Sequence, residues 1–290
     1  MNPMKTILIA LALTVLAAGT GTAQKEDPDR ITVTLSDPSR PAFVKASLLN
    51  GSITVKGYSG KEVIVEVKTR IGADSDDWDR DDDGDSEKER ARRKGMRRIT
   101  SNTASITVEE DNNEVTIGAG MRGLSKTLDL VIQVPLSSDL KLNTLNEGNI
   151  SVTGVKGEIE VSNLNGPITI TNVTGSVVAD ALNDDIEVVF SGIDPKKSMS
   201  FSSLNGDIDV TLPADARATL KLKTDNGDIY SDFDMKMDNA TTRVEDNDGG
   251  RRGGRYKVTL EKLMTGVING GGSEMVFKNF NGNIYIRKGK

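Results

Sequence analysis

Gly148-Asn149-Ile150-Ser151-Val152, Gly157-Glu158-Ile159-Glu160-Val161, Gly166-Pro167-Ile168-Thr169-Ile170, Gly175-Ser176-Val177-Val178 and Asp184-Asp185-Ile186-Glu187-Val188 set a register that returns every nine residues. A glycine, once an aspartate, opens each short alternating strand. Every second unit adds an Asn before the opener, in Leu164-Asn165-Gly166, Leu182-Asn183-Asp184, Leu204-Asn205-Gly206, Asp225-Asn226-Gly227 and Phe280-Asn281-Gly282. The full repeat is therefore two strands and two turns, about 18–22 residues long. A fixed period of that size is the signature of a solenoid, whose units bury their apolar residues only by stacking.

Because side chains alternate along a strand, Ile150, Val152, Ile159, Val161, Ile168, Ile170, Ile186, Val188, Ile208 and Val210 share one face. A coil that advances about 4.8 Å per turn stacks them into apolar columns. Burying each side chain is worth roughly 1.5–3 kcal/mol. The Asn-Gly steps answer a different need, a tight turn with positive φ, which Gly and Asn adopt at least cost. Stacking brings Asn165, Asn183, Asn205 and Asn226 into a ladder, where each amide either bonds to the next coil or offers an edge to a ligand.

Composition narrows the rest. Met1 to Ala23 has a basic start at Lys5, an apolar run from Ile7 to Ala18 and a small-residue stop, the pattern of a secretory signal peptide. The expected mature chain, residues 24–290, is one exported domain without a transmembrane segment, in the periplasm, at the cell surface or secreted. With no Cys there is no disulfide, and the core must hold the fold. Net charge is −6, and the mature chain is one unit more negative, which disfavours nucleic acid as a partner. With no His, the Ser-His-Asp and Cys-His constellations and most zinc chemistries are excluded.

Two stretches interrupt the strand pattern. Residues 73–98 are an insertion with an acidic half, Asp74 to Asp85, and a basic, helix-prone half, Glu87 to Arg98; residues 235–255 contain a Gly/Arg run, Gly249 to Arg255, and are expected as a flexible loop. Before the array, Ile31–Leu35, Phe43–Leu48, Ile53–Val55 and Val63–Val67 read as strands, and Asp111-Asn112-Asn113 as a hairpin turn.

The run Leu128 to Pro135, then Leu140-Lys141-Leu142-Asn143-Thr144-Leu145-Asn146, the repeated Leu-Asn-Gly-Asp-Ile units and Thr211-Leu212-Pro213 resemble the bacterial DUF4097 family of adhesin-like exported proteins. The resemblance covers roughly residues 45–287 apart from the two insertions. It implies an all-β, right-handed parallel β-helix-like solenoid at the envelope. It carries no catalytic residues.

Several residues remain as candidates for chemistry. Asp185, Glu187, Asp207, Asp209 and Asp228 flank the buried Ile of successive coils, where like charges about 4.8 Å apart repel by roughly 1 kcal/mol in water. Either calcium relieves that repulsion or the column is a solvated face. Asp79 to Asp85 has the acid spacing of an EF-hand loop, but its twelfth position is Arg90 and no apolar helix precedes it. Tyr230 and Tyr285 hold outward template positions and, with Trp78, form the candidate ligand surface; Trp78 equally serves to dock its insertion. The expected function is a non-enzymatic binding or scaffold surface for an envelope protein or glycan. The alternative, a carbohydrate-active β-helix enzyme, would draw on Asp207, Asp209, Lys221 and Lys223.

Overall fold

The computed structural model describes residues 29–70, 106–119, 127–146, 148–246 and 257–290. The segment read as a signal peptide, the insertion at 73–98 with Trp78 and the EF-hand-like run, and the Arg251–Arg255 run lie outside them. Among the described residues every regular element is a strand: β1 (Asp29–Thr34), β2 (Ala42–Asn50), β3 (Ile53–Tyr58), β4 (Glu62–Thr69), β5 (Ile106–Asp111), β6 (Glu114–Ala119), β7 (Leu128–Pro135), β8 (Ser138–Asn146), β9 (Ile150–Thr153), β10 (Lys156–Asn165), β11 (Ile168–Asn183), β12 (Ile186–Ile193), β13 (Met199–Asn205), β14 (Ile208–Leu212), β15 (Ala218–Asn226), β16 (Ile229–Ser231), β17 (Lys236–Asp246), β18 (Lys257–Ile268), β19 (Ser273–Asn281) and β20 (Ile284–Lys288).

These strands build a two-faced, solenoid-like stack. Face A runs β6, β2, β8, β10, the second half of β11, β13, β19 and β15, all pairing in parallel. Face B runs β7, β3, β9, the first half of β11, β12, β14, β20 and β16, again parallel. The alternation read from the sequence becomes continuous columns. On face B, Leu130, Ile53, Ile150, Ile168, Ile186, Ile208, Ile284 and Ile229 lie in register, and all but Ile229 are fully buried. On face A, Ile117, Ala46, Leu142, Val161, Ala179, Phe201, Phe277 and Leu222 form a matching column. Small Ala179 sits beside Phe201, which stacks on Phe277 at 4.9 Å and meets Phe190 edge-on at 6.5 Å. The core is the sum of these columns, as stacking units require.

Spatial order and chain order part company at both ends. The coil of β2 and β3 is flanked outside by the later coil of β6 and β7. The last coil in the chain, β19 with β20, slots between β13–β14 and β15–β16. The sequence reading placed the coils in simple succession, and this is a correction. The coil that ends the stack carries Asp225 at the Leu position and a half-buried Ile229, whereas the inserted coil keeps Phe280 and a buried Ile284. A terminal coil has a neighbour on one side only, so the weaker template suits it.

The hairpin turn at Asn112 and Asn113 is present, with φ of 53° and 70°. The loop expected at 235–255 is corrected over residues 236–246, which form β17 and pair antiparallel with β18, Met237 facing Gly266 and extending the face A ladder; the rest of that loop, from residue 247, lies outside the described residues.

Candidate binding surface

Seven asparagines close one corner of the stack. Asn146 donates to Asn50 (3.3 Å), Asn165 to Asn146 (3.2 Å), Asn183 to Asn165 (2.9 Å), Asn205 to Asn183 (2.9 Å), Asn281 to Asn205 (2.8 Å) and Asn226 to Asn281 (2.9 Å), each through Nδ2 to Oδ1. Asn165 and Asn183 are 18 residues apart, and Asn183 and Asn205 are 22. The expected ladder of Asn165, Asn183, Asn205 and Asn226 is thus real, but Asn281 stands between the last two, and Asn50 and Asn146 extend it. Two residues before five of the seven Asn, a buried or half-buried polar side chain bonds the carbonyl of an opener: Thr144 to Gly51, Asn163 to Gly148, Ser203 to Asp184, Asn279 to Gly206 and Thr224 to Gly282; before Asn50 and Asn183 the place is taken by Leu48 and Ala181. Closeness of the backbones demands the glycines; a Cβ on Gly206 (φ 149°) would lie 2.2 Å from the Asp184 carbonyl oxygen.

Between those two rows, Leu49, Leu145, Leu164, Leu182, Leu204 and Phe280 stand outward as a ridge, each 36–45% exposed. The repeated Leu before Asn carried this ridge in the sequence: alternation from the inward Ile159 and Val161 sets Leu164 on the outward face, a consequence the sequence reading did not draw. Beside it run shallow grooves of about 520 Å³, lined by Ser162, Asp180 and Leu182 among others, and about 360 Å³ near Lys223 and Lys278. Asp180 has its pKa raised by burial in this groove and by the Glu160 charge, against a hydrogen bond from Ser202 that lowers it.

On face B the candidate acids are held by work within the fold. Asp185 Oδ1 accepts the Asp207 N–H, Asp207 Oδ1 accepts the Asn283 N–H, and Asn283 Oδ1 accepts the Asp228 N–H. Glu187 lies in register with Asp209, whose neighbour is Tyr285, followed by Tyr230. The inserted coil therefore breaks the acidic column, placing Asn283 and Tyr285 where the sequence order had Asp228 and Tyr230. Among the described residues no group of three or more acids is close enough to hold a metal ion.

Asp209 takes a two-pronged grip from Arg287: Nε lies 2.8 Å from both carboxylate oxygens and Nη2 2.7 Å from Oδ2. That hydrogen bond and the Asp209 charge raise the Arg287 pKa. Arg287 also stands 5.3 Å from the Tyr285 ring. Tyr285 and Tyr230 stack with centroids 5.2 Å apart and planes 11° from parallel. The Tyr230 phenol bonds Asp228 (3.4 Å), whose charge raises its pKa, and Asn283 donates to the Tyr285 hydroxyl (3.1 Å). The structure thus joins Tyr230 and Tyr285 into one strip with Arg287, a partner the sequence reading missed. It does not join the candidate enzymatic groove. Lys221 pairs with Glu274 (2.6 Å) and Lys223 lies 3.9 Å from Asp225, both on face A, while Asp209 is on face B.

Fold and surface together define a solenoid-like all-β stack with one aromatic-acidic strip and one apolar ridge. Residues 137–263 match the Toastrack DUF4097 family, so the resemblance stands. A solved structure described as "a putative cell adhesion protein" from Clostridium sporogenes ATCC 15579 is 12% identical, over 90% of this chain and 100% of that one, with a TM-score of 0.47. No curated protein matches the chain. Among the described residues no helix is long and apolar enough to cross a membrane.

Proposed function

We propose that this is an exported, non-enzymatic protein whose right-handed parallel solenoid, of 18–22-residue coils, presents an adhesin-like binding or scaffold surface at the cell envelope. The ligand-contacting part is the outward strip of Glu187, Asp209, Arg287, Tyr285 and Tyr230, and the partner is an envelope protein or glycan. The observation that carries the reading is the tyrosine stack: two large rings kept in the open on a rigid sheet, one of them half exposed, beside a charge pair fixed in geometry. Aromatic rims and a fixed guanidinium are the groups that give a surface affinity at little entropic cost. The match to an adhesin-like family over residues 137–263 agrees with it.

No cofactor enters this reading. The backbone N–H groups already engage Asp185 and Asp207, so millimolar calcium should leave the melting temperature unchanged; a rise would put a cation on the Glu187–Asp209 column instead. The test of function is retention of glycans from an array and of proteins from envelope extract, for the wild type and for Tyr230→Ala with Tyr285→Ala. Binding that falls at least tenfold in the variant is expected. An unchanged profile, or hydrolysis or elimination of any polysaccharide by the wild type, contradicts the reading.

A further inference from the structure

Each face of the stack has two ends, and three of the four are closed by antiparallel strands. On face A, β5 covers β6 at one end, and β18 then β17 cover β15 at the other. On face B, β4 and then β1 cover β7. The fourth end is bare: among the described residues β16 pairs with β20 alone. The Asp228 carbonyl accepts the Ile284 N–H and the Asp232 N–H donates to the Ile286 carbonyl. By alternation, Ile229 and Ser231 therefore point their backbone groups away from the stack, an uncovered edge of the kind proteins normally protect.

Face B thus stops two strands short of face A, leaving a step about 10 Å high. The underside of the projecting hairpin is apolar. Gly266 pairs with both Leu220 and Met237, so Met237 lies on the core side of the hairpin, yet it is 48% exposed because no strand of face B stands opposite. Met235, Met264 and Ile229 are only partly buried at the same place, and Tyr230 ends its stack there, 50% exposed.

We propose that a second copy of this chain fills the step. A two-fold axis parallel to the strands sets the hairpin of each copy on the bare end of the other, with β17 of one beside β16 of its partner. The strands of the two faces run oppositely, and β17 is antiparallel to β18, which is antiparallel to β15. The new pairing is therefore antiparallel, the arrangement that closes the other three ends. A step is filled by a step of its own height, so the contact is self-complementary, as a two-fold interface must be. The methionines of both copies meet in the gap, where their flexible thioethers pack an irregular space. The added strand lies in the sheet plane, so the outward rims of the tyrosines and Arg287 stay open. The interface goes beyond the proposed binding function and does not depend on it.

Light scattering on the purified full chain tests this, with amide hydrogen exchange as a second readout. The wild type should have twice the chain mass at micromolar concentration, with Ile229 and Ser231 amides protected. Met237→Glu and Ser231→Pro should each give the single-chain mass, with the strand circular dichroism retained and the Ile229 amide exchanging at least tenfold faster. A wild type that is monomeric at every concentration overturns the proposal, as does a dimer that survives both substitutions or a wild-type dimer whose Ile229 and Ser231 amides are unprotected. Loss of ligand retention in the tyrosine variant, with the dimer intact, would separate the two conclusions.

Discussion

The middle of the stack and its two ends follow different rules. Between β8 and β14 chain order is spatial order, every coil has a neighbour on both sides, and each Ile or Val of the template is fully buried. At the ends the order is exchanged and antiparallel strands take over. There the template decays, as in Ile229 and Asp225, and large side chains such as Tyr230 and Met237 stay in the open. The middle is built to stack; the ends are closed by antiparallel strands except at β16, where an edge stays open.

That contrast is broken most strongly from within the core. Phe201→Ala removes a fully buried ring that contacts Phe190 and Phe277 and should cost about 3–5 kcal/mol by chemical denaturation. Ile229→Ala at the end coil should cost about 1 kcal/mol, since its side chain is already partly in water. Equal losses at the two sites would erase the distinction.

The Asn ladder sharpens the comparison at smaller scale. Asn183 both donates and accepts on the exposed corner, where water can take over from a lost partner, so Asn183→Ala should cost about 1 kcal/mol; Asn226→Ala, which loses one bond at the ladder's end, should cost about half of that.

The middle of the stack was legible in the sequence and the ends were not, for a physical reason. Periodicity reports which face of a strand is buried, and the Ile columns and the ladder of Asn165, Asn183 and Asn205 follow from it directly. It says nothing about which coil lies beside which, because every coil offers the same Ile columns. Asn281 carries the template as well as Asn205 does, so only the pairing of β19 with both β13 and β15 reveals its place. The strip followed the same pattern: Tyr230 and Tyr285 were visible as outward residues, but Arg287 is brought to Asp209 across 78 residues of chain. β17 was hidden by the Asn- and Asp-rich composition around it.

The smallest expected effect concerns Asp180 in the groove. Burial and Glu160 raise its pKa, so the folded chain holds this proton more tightly than the unfolded chain does. Ionised Asp180 therefore subtracts from stability once pH rises through its folded pKa, and nothing is lost below the unfolded value. Asp180→Asn should raise the melting temperature slightly at neutral pH, and the gain should vanish as the pH falls into the acid range. A destabilised variant at neutral pH would reverse that assignment.

The central claim is that the last coil in the chain is spliced between two earlier ones, and paired cysteines test it most directly because the chain has none of its own. Ser202 and Lys278 are register partners on neighbouring strands, as are Lys278 and Lys223. A disulfide needs Cα atoms within about 7 Å, so neighbours qualify and residues two strands apart, roughly 9.6 Å, do not. Ser202→Cys with Lys278→Cys should cross-link on mild oxidation, and Ser202→Cys with Lys223→Cys should not. The opposite result would restore simple succession of the coils and contradict the account.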